Sequence, residues 1–297
     1  MTLYTQAESN IRKTWFLITG FLIFIIAMGW LFSYLLDNQI FLILAIIFAV
    51  FQSFVSFWYS DKIVLSMTGA FPVDRKDNPE LYRIVENLAI TAGLPTPKIF
   101  LTNESQPNAF TTGRDADHAV MVFNRGLLER LDRTELEGVI AHEFSHIGNK
   151  DMLLGTVIVI LVGIVATLSN WFLRISFWGG GKRRDEEEGN LAAVLAILGI
   201  IGAILAPIVA TLIQLAISRK REFLADTDGA FLTRYPEGLA RALGKIAQDK
   251  TPLRRADTST AHLYIANPFK KDHWLVNLFS THPPIEERIK ALREMEI

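Results

Sequence analysis

His142-Glu143-Phe144-Ser145-His146 sets two histidines four residues apart with an acid beside the first. On a helix that spacing points both imidazoles from one face, one turn apart, where a single zinc ion takes a nitrogen from each. Glu143 then stands next to the metal as a base for water rather than as a ligand. Upstream, Thr134 and Glu137 have the form of a capping box. Leu136, Val139 and Ile140 add an apolar stripe at helical spacing, which predicts a helix from about residue 134 to 150.

Outward from that helix the chain is unusually apolar. Of its 297 residues 50% are hydrophobic, and the excess is gathered into blocks instead of amphipathic patterns. Uncharged runs at 14–36, 38–60, 152–173 and 191–217 are each long enough to cross a hydrocarbon core of about 30 Å as a helix. The first is too long for a signal-peptide core and lacks a small-residue cleavage site, so it reads as a retained span. Trp58 and Tyr59 fall where an interfacial aromatic belt lies. The spans pair into two hairpins, around Asp37-Asn38-Gln39 and around the charged loop at 179–190. A net charge of -1 gives no footprint for nucleic acid, and the absence of cysteine excludes disulfides and thiolate ligands. Any metal is therefore held by His, Asp or Glu.

The remaining segments read as a water-facing domain. Helices are predicted over 78–92, 126–131, 219–235, 236–248 and 284–296, and strands over 97–102, 109–112 and 119–123. The expected fold is α+β, mainly α: an integral membrane protein with four transmembrane helices and a zincin-like catalytic domain with a small sheet. In order, the chain divides into an N-terminal hairpin (1–61), the first part of the catalytic domain (62–151), a second hairpin (152–217) and the rest of the catalytic domain (218–297).

A catalytic zinc usually has three protein ligands and one open position. Among His118, His262, His273, His282 and the acids, Glu222 in Arg221-Glu222-Phe223-Leu224-Ala225-Asp226 fits best. Glu222 and Asp226 share a helix face, so one can ligate while the other accepts a hydrogen bond from a ligand histidine. Two spans between His142 and Glu222 return the chain to the same side of the membrane, as a shared metal requires.

These residues resemble the HtpX-like membrane metallopeptidases, bacterial heat-shock proteases related to the CAAX prenyl proteases. The likeness covers nearly the whole chain. It rests on the two hairpins, Asn108-Ala109-Phe110, His142 to His146, Glu222 to Asp226, and Ser280-Thr281-His282-Pro283-Pro284. It implies zinc as cofactor, Glu222 as third ligand, and peptidase activity towards misfolded or damaged membrane proteins. His282 is the expected oxyanion donor beside the metal, ahead of Tyr264, His262 and Arg219. Asn108, Ala109 and Phe110 are expected to bind substrate from an edge strand. His118 and His273 are read as surface or packing residues. The alternatives are a prenyl-protein protease and a zinc-stabilised membrane scaffold without turnover. The expected partners are unfolded or membrane-protein substrates and the lipid bilayer, with no nucleic acid.

Orientation follows from basic residues. Arg12, Lys13, Lys62, Arg75, Lys76, Arg219, Lys220 and Arg221 lie on one side, against Lys182, Arg183 and Arg184, with Arg174 near that end. This bias predicts that both termini and the zinc site face the cytoplasm; that the membrane is a bacterial inner membrane is what the resemblance implies.

Overall fold

The structure, a computed structural model, describes residues 3–35, 37–178, 219–253, 260, 263–266 and 283–296; of 3–6, 32, 35 and 165–178 it describes the backbone alone. The chain opens with α1 (Leu3–Leu35) and α2 (Ile40–Trp58), followed by α3 (Ser60–Thr68) and the short β1 (Phe71–Pro72). Then come α4 (Pro79–Ala92), β2 (Lys98–Thr102), β3 (Ala109–Thr112), β4 (Val120–Asn124), α5 (Arg125–Arg130) and α6 (Arg133–Gly148). The helices α7 (Asp151–Trp178), α8 (Arg219–Thr233), α9 (Pro236–Gln248) and α10 (Ile285–Arg293) complete the described elements. This is a mainly helical α+β chain, and its elements fall close to those the periodicity predicts.

Within α1 and α2, Ala7–Leu31 and Ile40–Trp58 are long and apolar enough to cross a membrane. Ile43, Ile47, Val50, Phe51 and Phe54 stand exposed along α2, an apolar surface that only lipid or protein can cover. The two helices touch at Gly29, where a Cβ would collide with the Ala45 methyl. Helix α1 starts at Leu3, so Arg12 and Lys13 lie on it rather than ahead of it. The predicted fourth span, 191–217, and the loop 179–190 lie outside the described residues.

The sheet has the order β1-β2-β4-β3. β2 and β4 run parallel, with Ile99 opposite Met121 and Leu101 opposite Phe123; β1 and β3 pair antiparallel on either side. Every residue of β4 is buried, because successive side chains serve different cores. Met121 and Phe123 join Leu81, Val85, Val139 and Phe144 in the main core, while Val120 and Val122 join Phe110, Val64, Leu65 and Val159. The sheet is therefore clamped between the helices of the main core on one face and α3 and α7 on the other.

Three details depart from the sequence reading. The capping box of α6 is Asp132 with Glu135: Asp132 Oδ1 accepts from Glu135 N at 3.0 Å, and Glu135 Oε2 accepts from Asp132 N at 2.8 Å. Thr134 instead donates to Asp132, and Glu137 pairs with Arg133 on the surface. The helix also stops at Gly148, two residues short of the predicted end, and α7 leaves at 81° after Lys150, whose φ is +56°. Finally, α3 and β1 occupy a segment for which no element is predicted. β1 is two residues long and exists by pairing with β2, not by local propensity.

Candidate metal centre

Helix α6 carries His142, Glu143 and His146, and α8 packs along it. Their contact is close because residue 229 is glycine. A Cβ there would stand 3.1 Å from the His142 Cα and 2.9 Å from its N, the latter nearer than real Cβ atoms come to backbone. On the next turns of α8 towards its start are Asp226 and Glu222, one above the other on the face turned to α6.

The three predicted ligand residues come together. His142 Nε2 and His146 Nε2 are 3.2 Å apart, their rings at 89° to one another. Each Nε2 lies 3.8 Å from an oxygen of Glu222, and all three groups offer ligand atoms within 4.8 Å of one another. Ligands about 2.0–2.1 Å from a tetrahedral zinc stand about 3.3 Å apart, so the donor set fits a metal with little adjustment. Both imidazoles are backed on the other nitrogen by a carboxylate. His142 Nδ1 is 2.9 Å from Asp226 Oδ1, close but not aligned as a straight hydrogen bond, and His146 Nδ1 is 3.2 Å from Asp151 Oδ2. Protonated Nδ1 atoms leave the Nε2 lone pairs facing the common point.

The carboxylates around the centre favour positive charge there. Burial disfavours a charged His146, yet the Asp151 hydrogen bond and the carboxylates of Glu222, Asp151 and Glu143 outweigh it and raise its pKa to about 9. Asp226 shows the opposite sign. Burial would raise its carboxyl, but Arg288 and the His142 contact hold it below the usual carboxylate range. Arg288 Nε and Nη2 donate to the two oxygens of Asp226 at 2.7 and 2.6 Å, and Nη1 donates to the Ile265 carbonyl at 3.0 Å. This fully buried guanidinium from α10 also lies 3.5 Å from Glu222.

Glu143 is buried, and its Oε2 accepts a 2.6 Å hydrogen bond from Thr111 Oγ1 on β3. Ala109 and Phe110 are buried on the same strand, and Asn108 is buried just before it. Asn108 exchanges hydrogen bonds with the Ala266 backbone, Ile265 N–H donates to the Ala109 carbonyl, and Phe110 packs edge-on against Tyr264. The outward edge at Ala109 is thus engaged by this chain's own 265–266 segment. Tyr264 is buried, Arg219 is exposed at the start of α8, and His118 sits on the surface between Arg114 and Asp115. His262, His273 and His282 lie outside the described residues.

Arg288, Asp151 and Thr111 are the residues at this centre that the sequence reading does not single out. Asp151 carries a faint signal as an acid closing the motif helix before an apolar run; Arg288 and Thr111 carry none.

A helix-borne His-Glu-x-x-His with a carboxylate from a neighbouring helix, set beside membrane helices, defines a membrane metallopeptidase. A sequence profile of peptidase family M48 matches residues 75–296, and the chain belongs to that family. It is 46% identical to the "Protease HtpX homolog" of Caldanaerobacter subterraneus subsp. tengcongensis over 301 aligned residues, covering 100% of this chain and 99% of that protein. The homologue from Pyrococcus furiosus is 48% identical over 89% of each chain. In fold, the chain is similar to the crystal structure of S. mikatae Ste24p, with a TM-score of 0.51 and 20% identity, over 98% of this chain and 66% of that one.

Proposed function

We propose that this chain is a zinc-dependent endopeptidase that hydrolyses peptide bonds of membrane proteins, misfolded or damaged ones in particular. The observation that carries the reading is the convergence of His142 Nε2, His146 Nε2 and the Glu222 carboxylate beside a buried Glu143. His142, His146 and Glu222 hold the zinc, Asp226 orients His142, and Glu143 is the catalytic base. Bound there, zinc supplies a Lewis acid for the scissile carbonyl and for the acidity of water. Glu143 takes the proton as water attacks the carbonyl carbon, and passes it to the departing amine nitrogen. Thr111 holds one oxygen of Glu143 throughout, fixing the carboxylate against the β3 edge. Arg288 keeps Asp226 ionised, so that His142 retains its orienting partner.

Cleavage of casein and of a model membrane protein by the purified, detergent-solubilised chain tests this. Activity is expected to disappear with a chelator and to return with zinc. A zinc-replete preparation that cleaves neither substrate would leave the scaffold alternative standing.

The proposed arrangement in the membrane has four spans, at 14–36, 38–60, 152–173 and 191–217, with both termini and the metal centre in the cytoplasm. The lipid-suited outer faces of α1 and α2 and the basic residues Arg12, Lys13, Lys62, Arg219, Lys220 and Arg221 support it. A topology reporter fused after Gly180 is expected to read as external. A cytoplasmic signal there rejects the two-crossing reading of the second hairpin.

A further inference from the structure

Asp151 reaches His146 only because the chain breaks between them. Five residues along an unbroken helix, position 151 would lie about 140° round from His146. Lys150 at φ +56° turns α7 through 81° and swings the Asp151 carboxylate back to Nδ1 of His146. A non-glycine residue in this region is uncommon, and it persists where surrounding contacts fix it.

Those contacts come from the first membrane helix. Asn10, on α1 one turn before the uncharged run begins, is fully buried. Its Nδ2 donates to Asp151 Oδ1 and, at 3.0 Å, to the Asn149 carbonyl, so one amide group holds both sides of the turn. Arg221 from α8, next to Glu222, stands 3.4 Å from the same Asp151 oxygen. A single carboxylate thus joins a histidine of the metal centre to α1, α7 and α8.

We propose that Asp151 is a positioning residue that holds His146 for the metal, and that Asn10 makes this hold depend on how the first membrane helix is seated. The inference rests on reading His142, His146 and Glu222 as the ligands. Asp151 accepts the Nδ1 proton, which fixes the tautomer and directs Nε2 towards His142 and Glu222. Asn10 fixes the carboxylate's rotamer. Displacement of α1 along or about its axis withdraws the Asn10 amide, and the affinity of the centre for zinc falls. A merely structural role for Asn10 would fasten α1 to the domain without touching the metal.

The test uses the full chain in detergent, stripped of metal. Zinc affinity is read by competition with a chromophoric chelator, and ligand geometry by the visible spectrum of the cobalt-substituted protein. D151A is expected to weaken zinc binding about 10–100-fold, with D151N in between, because its carbonyl oxygen still accepts from Nδ1. N10A is expected to lose about threefold or more, and to shift the cobalt bands in the direction D151N does. Parent-like affinity and spectrum in D151N and D151A overturn the proposal; parent-like values in N10A alone, whatever its thermal stability, overturn the link to α1. H146A separates the two levels. If it also binds zinc as the parent does, the ligand assignment fails, whereas loss of zinc in H146A with no change in D151A condemns only the role of Asp151.

Discussion

Glu143→Gln protein is expected to bind zinc as the parent does and to hydrolyse peptides about 10²–10⁴-fold more slowly, the range that a positioned general base contributes. The amide matches the carboxylate in shape and its oxygen still accepts from Thr111, so the wall beside β3 keeps its form. His142, His146 and Glu222 are untouched, and the Asp226 and Asp151 contacts behind the imidazoles stay in place. What disappears is the carboxylate that takes the proton from the attacking water. Metal content and turnover are measured on the same purified sample. Turnover within about tenfold of the parent, with zinc bound, would exclude Glu143 as the base.

Arg288→Met is expected to destabilise the fold by about 3–5 kcal/mol, as is usual when one member of a buried ion pair is removed. The cost lies in what is left behind: an Asp226 carboxylate out of water that has lost two hydrogen bonds from a fully buried guanidinium. The Ile265 carbonyl loses its donor as well, loosening α10 from the 263–266 segment. Thermal or denaturant unfolding of the metal-free protein reads the effect. The double variant D226N/R288M is expected to recover most of it, because a neutral amide in that place carries no unpaired charge. A single variant as stable as the parent, or a double variant no better than the single, contradicts a buried pair at this position.

The residues that periodicity identifies are those whose role is set within one helix. His142 and His146, or Glu222 and Asp226, need only the i to i+4 spacing to share a face, and the short unbroken apolar run from Val120 to Phe123, closed by Asn124, suffices to mark a strand. Arg288 is hidden for the opposite reason. In Ile-Glu-Glu-Arg-Ile-Lys-Ala-Leu-Arg it looks like one more solvated charge, and it is buried by tertiary packing that sets it against Asp226 of α8 and the Ile265 carbonyl. Asp151 is masked because the left-handed residue of the turn is Lys150 and not Gly148 two positions before it, so the sequence marks a helix end there without showing how sharply the chain bends. The α6 cap is ambiguous in the sequence because D-x-x-E at 132–135 and T-x-x-E at 134–137 overlap. The second reading gives way where Asp132 and Glu135 close both hydrogen bonds. Thr111 faces Glu143 through the pleat of β3, a relation between two elements that no single window contains.

The absence of a side chain at Gly229 carries a consequence for how such proteins are recognised. The gap between α6 and α8, and with it the span from His142 to Glu222, is set by a hydrogen atom resting on the backbone of His142. A descendant of this chain could keep every ligand, the base and both orienting acids, gain one methyl group at position 229, and present a complete signature on helices displaced from the spacing that brings His142 and Glu222 together. Weakened metal centres of that kind would be invisible to motif inspection. They would be betrayed only by the residue that touches no substrate, binds no metal and has no functional group at all.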